Sequence, residues 1–392
     1  MSLYRFKNSI LLFFIAYFIF LNNLFAESFN TSSATVFMYH RFDEFKYPST
    51  NIKSEQLKKH LIFITSNKYN IITNSTILSN IESNKQFLPK TISFTIDDAF
   101  LSFYQHGWPI FKKYKIPVTL FISTDVIDEL HWNYMSWDNI RSFIAEGGSV
   151  GLHSASHAHL PLKNIDQVEN DLTKSMKRFK EELGFIPDVF AYPYGEASND
   201  IQTLLKKLGI KYAFGQHSGL IHNKSDLYYL PRFSLNENYG DIERFIFLAN
   251  LKPLIVENFI PNEIFLTKNN MQNIEFDILS KIDIEQLNCF SNSDGSWSSL
   301  NIDSYTKNRV SLKLNKPFLS GRGRLNCTIK KNDEWFGKEI PLDMIDDMYK
   351  RTIKAVKKDH KPQFSFKVPI SKGRLQCQIY NNTNICLDIN KI

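Results

Sequence analysis

Thr91-Ile-Ser-Phe-Thr-Ile-Asp97-Asp98 is the stretch that decides the fold. Ile92, Phe94 and Ile96 alternate, as in a strand, and the run stops on two adjacent carboxylates. Short strand-like runs of the same kind recur on both sides: Val36–Phe42, Val118–Thr124, Ser149–Ser154, Val189–Gly195, Tyr212–Gln216 and Leu230–Leu235. Between them lie stretches with helical spacing, at Ser54–Asn67, Tyr104–Tyr114, Ser136–Glu146, Asp166–Leu183 and Ser198–Leu208. Ser54, Ser136 and Ser198 stand where N-caps belong, and Gly147, Gly184 and Gly209 where helices stop. Strands alternating with helices predict an α/β domain with a parallel sheet. Seven strands favour a barrel over an open sheet.

The polar clusters fall at the C-terminal ends of these strands. Asp97-Asp98 closes one, His153-Ser-Ala-Ser-His157 closes another, and Tyr192-Pro-Tyr194-Gly195 a third. His40 ends the first strand and Arg232 lies in the last. In a β/α barrel those ends converge on one mouth, where active sites sit. Two adjacent acids repel unless a cation or a division of labour separates them. One carboxylate with two imidazoles four residues apart is a set that holds a borderline divalent metal with positions left open. Gly147-Gly-Ser-Val-Gly151 has the letters of a serine-hydrolase elbow, but a helix precedes it and a strand follows, the reverse of what that elbow needs. Gly321-Arg-Gly323 lacks the third glycine of a dinucleotide-binding turn.

The chain has 392 residues, 43% hydrophobic and 22% charged, which suits two globular domains and excludes a disordered or polytopic membrane protein. From Glu263 onward there are 21 Lys and Arg against 15 Asp and Glu, so +6 of the net +7 lies in the last third. No concentrated basic stripe with interleaved aromatics appears, so nucleic acid is not an expected partner. Arg5 and Lys7 precede the apolar run Ile10–Leu21, and Ala26 stands at a cleavage position. That predicts a signal peptide at 1–26 and export to the periplasm or exterior. After about Pro261 short alternating segments such as Ser311–Leu314, Arg324–Ile329, Phe364–Val368 and Leu375–Tyr380 predict an all-β sandwich. Cys289, Cys327, Cys377 and Cys386 all lie there. A hairpin turn at Asn381-Asn382 sets Cys377 opposite Cys386 and leaves Cys289 for Cys327, two disulfides in an oxidising compartment. The basic run from Lys350 to Lys361 offers a peripheral contact with acidic envelope polymers or lipid.

Thr95-Ile-Asp-Asp-Ala99, His153 to His157 and Phe190-Ala-Tyr-Pro-Tyr-Gly195, in this order, resemble the motifs of NodB-type polysaccharide deacetylases, carbohydrate esterase family 4. With Met38-Tyr39-His40 upstream and Leu230-Pro-Arg232 downstream, the chain looks like the branch containing poly-N-acetylglucosamine deacetylases. The tail around Arg322-Gly-Arg-Leu-Asn-Cys327 looks like the immunoglobulin-like domain that follows some of them. The resemblance implies a distorted (β/α)7 barrel over 27–262, an immunoglobulin-like sandwich over 263–392, and metal-dependent removal of N-acetyl groups from an amino-sugar polysaccharide. It implies Asp98, His153 and His157 as metal ligands, with Zn2+ as the cation and Co2+ or Ni2+ as substitutes. Asp97 would be the general base, and the backbone N–H of Tyr194 would stabilise the oxyanion. The family's third-motif Arg is Phe190 here, so Arg232 is expected to supply its charge. Leu220-Ile-His222 has the letters of the family's general-acid motif, whereas the branch points to His40. Ala99 replaces a glycine, tolerable unless φ there is positive. Trp137 and Tyr192 are either sugar-stacking or core aromatics. The rival functions are an O-acetyl esterase and a catalytically silent carbohydrate-binding or adhesion protein on the same fold.

Overall fold

Seven parallel strands carry the first region: β1 (Ala34–Tyr39), β2 (Thr91–Asp97), β3 (Thr119–Ile122), β4 (Ser149–Leu152), β5 (Val189–Ala191), β6 (Tyr212–Phe214) and β7 (Phe233–Ser234). The computed structural model describes residues 32–392 apart from 264, 267–273, 280–283, 293–296, 307, 315–320, 332, 345–363, 371–372, 381–382 and 389–392. Hydrogen-bonded order runs β7-β1-β2-β3-β4-β5-β6, with every pairing parallel. β1 and β2 are buried at every position, the pattern of strands covered on both faces.

The ring is not closed by a full ladder. β6 and β7 are the two ends of the sheet; an isolated bridge, Phe214 to Leu230, and backbone hydrogen bonds such as Gly215 N–H to Leu230 O and Arg232 N–H to His217 O, both 2.9 Å, span the gap in place of a ladder. The barrel expectation is therefore met in a half-closed form. All C-terminal strand ends nonetheless open on one side.

The five expected helices form at α1 (Ser54–Ser66), α3 (Trp108–Lys113), α5 (Trp137–Ala145), α6 (Ile165–Leu183) and α7 (Asn199–Lys207). α3 is entered through a π-helical turn, Phe103–Gly107. Three more were not anticipated: α2 (Asn74–Glu82), the five-residue α4 (Thr124–Asp128) and α8 (Ile242–Asn250). Ser136 and Ser198 cap α5 and α7 as expected. Ser54 does not cap α1. It is the first helical residue, and Asp43 accepts from its backbone N–H at 2.8 Å and from its hydroxyl, so the cap comes from a preceding loop. Gly184 ends α6 at φ +81°, in the left-handed region that favours glycine.

Beyond Leu251 the chain is built of strands. β8 (Lys252–Pro253), β9 (Val256–Ile260), β10 (Ile274–Ile278), β11 (Asn288–Ser291), β12 (Ser298–Leu300), β13 (Ile302–Tyr305), β14 (Arg309–Leu312), β15 (Gly321–Lys331) and β16 (Glu334–Met344) make two sheets, ordered β8-β16-β15-β11-β12 and β9-β10-β14-β13. Phe276, Val310 and Leu312 of one sheet share a core with Leu300, Leu325 and Ile329 of the other. Cys289 and Cys327 stand opposite each other on β11 and β15 and form the expected disulfide. β17 (Phe364–Ile370), β18 (Gly373–Tyr380) and β19 (Thr383–Asp388) form a third, antiparallel sheet whose register sets Cys377 opposite Cys386. The basic run 350–361 and the signal segment 1–26 lie outside the described residues, as do the side chains that would form the bridge expected between these two cysteines. Glu339 of β16 ties this region to the first: its N–H donates to Ser218 O at 2.9 Å, and its carboxylate accepts from Ser218 N–H at 2.8 Å. Among the described residues no helix is long and apolar enough to cross a membrane.

Candidate active site and metal centre

The strand ends deliver the expected residues to one mouth. Asp97 is the last residue of β2, His40 follows β1, His153 follows β4, and Tyr194 lies in the turn after β5. Five non-glycine residues here have left-handed backbones: Asp98 (φ 75°), Ala99 (58°), Ser154 (63°), His157 (49°) and Tyr194 (59°). Strain of this kind concentrates where side chains must be aimed. The tolerance expected of Ala99 does not hold, because its positive φ costs about 1–2 kcal/mol for a residue with a Cβ.

Asp98, His153 and His157 bring one donor atom each to within 4.8 Å of one another. Asp98 Oδ1 lies 3.3 Å from His153 Nε2 and 3.1 Å from His157 Nε2. His153 is fully buried, and its Nδ1 donates to Ala191 O at 2.7 Å. That bond fixes the tautomer and leaves the Nε2 lone pair facing Asp98. Neither His153 Nε2 nor Asp98 Oδ1 makes a hydrogen bond, although both are buried. Two orphaned acceptors beside a third donor fit a divalent cation, since burying them empty is costly. Burial pushes the Asp98 carboxyl up, but His157 and His153 outweigh it and hold it well below the usual carboxylate range.

Asp97 points away from this trio. Arg232 clamps it through a two-pronged contact, Nη1 to Oδ1 at 2.7 Å and Nη2 to Oδ2 at 2.9 Å, with both side chains fully buried. Arg232 is held in turn by Gly215 O at 2.9 Å and Thr95 Oγ1 at 3.1 Å, and its guanidinium sits between the Phe121 and Phe214 rings. Burial pushes the Asp97 carboxyl up, and Arg232, with His153 and His40, more than reverses this, so it lies below its ordinary value. Phe190, where the motif that this stretch resembles carries an arginine, is buried against Tyr192. His40 lies among Asp98, Asp97, Arg232 and His153; burial lowers its pKa more than the carboxylates raise it.

His222 is not at this mouth. Ile221 bridges Ala34 at the start of β1, whereas His40 follows the end of that six-residue strand, on the order of 20 Å along it. Trp137 and Tyr192 are core aromatics: Trp137 is buried against Phe179 with Nε1 donating to Asp128, and the buried Tyr192 donates its hydroxyl to Tyr228 O.

Two supports were not picked out in the sequence. His159 stacks flat on the Tyr194 ring at 4.0 Å and pairs with Glu196 at 2.8 Å. Asp171, on α6, accepts from Ala155 N–H at 2.7 Å, from Ser156 N–H at 3.3 Å and from the Ser156 hydroxyl, bracing the turn between the two histidines. Its signal is an acid on the stripe Val168, Leu172, Ser175, Phe179 that α6 buries. Asp171→Ala should weaken binding of a divalent cation at this trio by about 10–100-fold, the usual effect of losing a partner that orients ligands. Competition against a chromogenic chelator measures this, and unchanged affinity would remove Asp171 from the site.

Residues 84–213 match the polysaccharide deacetylase family. The poly-beta-1,6-N-acetyl-D-glucosamine N-deacetylase of Staphylococcus aureus (strain MRSA252) is 24% identical over 208 residues, covering 48% of this chain and 69% of that protein. Among solved structures, the Streptococcus pyogenes deacetylase PplD in complex with acetate superposes with a TM-score of 0.51 at 18% identity, over 55% of this chain and 96% of that one. IcaB from Ammonifex degensii gives 0.50 at 22% identity, over 56% and 97%. The half-closed parallel barrel is thus the fold seen in these deacetylase structures, and residues 84–213 are the part that matches the polysaccharide deacetylase family.

Proposed function

We propose that this chain is an exported, metal-dependent hydrolase that removes N-acetyl groups from an amino-sugar polysaccharide. The observation that carries the reading is the pairing of two carboxylates with different environments: Asp98 among imidazoles and Asp97 on a buried arginine. Export rests on the N-terminal segment, and the immunoglobulin-like reading of the β-rich region rests on its motifs.

Asp98, His153 and His157 would hold the cation, Zn2+ or in its place Co2+ or Ni2+. Bound there, it would lower the pKa of water and polarise the acetyl carbonyl. Asp97, kept ionised and aimed by Arg232, takes the proton of the attacking water. The Tyr194 backbone N–H donates to the developing oxyanion. The proton taken by Asp97 goes on to the departing sugar nitrogen, with the neutral His40 placed beside Asp97 to relay it, so water and an N-acetyl group become acetate and an amine.

Acetate release from N-acetylglucosamine oligomers by the mature protein tests this. We expect release to stop with chelator and return with Zn2+ or Co2+. Release from O-acetylated polymers alone would make the enzyme an esterase. Absent release and absent metal binding would leave a carbohydrate-binding protein.

A further inference from the structure

We propose that Trp132 is a stacking platform for an uncharged sugar ring flanking the one that reacts. The inference rests on the polysaccharide reading above. Trp132 is 82% exposed, the most exposed large apolar side chain among the described residues. It belongs to the loop between α4 and α5, which is pinned to the segment that follows the metal-site carboxylate. Met135 N–H donates to Ala99 O at 2.9 Å, Leu101 N–H donates to Asn133 O at 2.9 Å, and Phe100 bridges Tyr134. Tyr134 N–H also donates to His131 O at 2.9 Å, which closes the loop on itself.

An aromatic strip runs from the mouth to this tryptophan. The Arg41 guanidinium, one residue past His40, lies 3.4 Å over the Phe100 ring. Phe100 packs on Tyr134 at 4.8 Å, Tyr134 on His131 at 5.5 Å, and His131 on Trp132 at 6.5 Å. Phe100 is buried beneath Arg41, which is already neutralised by Glu44 at 2.6 Å, so the strip leads out to the exposed Trp132 ring and carries no unpaired charge.

A polymer seated with one N-acetyl group at Asp98 must carry its neighbouring rings out over the rim. The C–H face of a pyranose is weakly positive and the indole face is negative, which favours stacking. An exposed tryptophan on a rigid loop loses little entropy on binding, the property of residues that carry recognition energy. An apolar residue this exposed marks an interaction site once neighbours of its kind adjoin it. An uncharged, N-acetylated chain supplies a ring to this platform and no charge.

The test compares the N-acetylglucosamine dimer with the hexamer, using wild type, Trp132→Ala and Trp132→Phe. Trp132→Ala should lower the hexamer-to-dimer ratio of kcat/KM about tenfold, through KM, with Trp132→Phe between. An unchanged ratio overturns the proposal. Tryptophan fluorescence titrated with hexamer in the presence of chelator reads binding without turnover. A response in wild type that Trp132→Phe lacks supports the platform even if no acetate is ever released, in which case only the reaction reading fails. No response and no release overturns both. A response to phosphatidylglycerol vesicles with none to hexamer overturns the sugar platform in favour of a lipid surface.

Discussion

Under the proposed hydrolysis, Asp97→Asn is expected to reduce acetate release by about 10²–10⁴-fold, the range for a positioned general base, with divalent-cation binding unchanged. The substitution keeps the shape of the side chain and removes its ability to take a proton. The donors that would hold the cation come from Asp98, His153 and His157, and none from Asp97. Metal stoichiometry and rate should therefore separate: one unchanged, the other nearly lost. Asp97 should not set the acid limb of the wild-type rate, because Arg232 keeps its carboxyl below its ordinary value; protonation of the imidazole ligands should set it instead. A variant within tenfold of wild type would show that the proton leaves by another route.

Arg232→Met should be the most destabilising single change at the site. It strands Asp97 as a fully buried carboxylate with no counter-charge, and breaking one side of a buried pair costs about 3–5 kcal/mol. The pH dependence has a definite sign. In the wild type the lowered Asp97 pKa contributes stability above the ordinary carboxylate value near 3.9, which is lost as pH falls through the folded value. In the variant burial acts unopposed by the arginine and raises that pKa, so protonation in acid relieves the penalty. Urea unfolding from pH 4 to 8 should show the deficit widening toward neutral pH, and the acid limb of any residual activity should move upward. Arg232→Lys restores charge without the fork and should recover only part of the loss. A deficit below about 1 kcal/mol at pH 7 would contradict the buried-pair account.

What could be read in advance follows from how local each signal is. Strands buried on both faces leave continuous apolar runs, so β1 and β2 were legible, and the motifs at their ends are contiguous in sequence. Parallel pairing then carries those ends to one side without further information. Other features depend on partners far along the chain. Nothing near Arg232 says which acid it meets, and nothing near Asp43 says that it caps α1. Trp137 and Tyr192 have spacings that give a face but not a depth, so burial alone decided between core and sugar platform. The left-handed turn at Ala99 carries no glycine to announce it. The helix at Asn74–Glu82 is polar enough to read as loop, and the gap between β6 and β7 has no local signature.

Asp97 and Arg232 stand 135 residues apart, and their contact has a consequence for synthesis. Closing so long a loop is entropically costly and kinetically late. A nascent chain that has emerged only as far as β6 already contains Asp98, His153 and His157 but not the arginine that steadies Asp97. Until β7 docks beside β1, that carboxylate has no reason to stay buried and ionised. Hydrolytic competence would therefore arrive with the last barrel strand, as a checkpoint on complete folding.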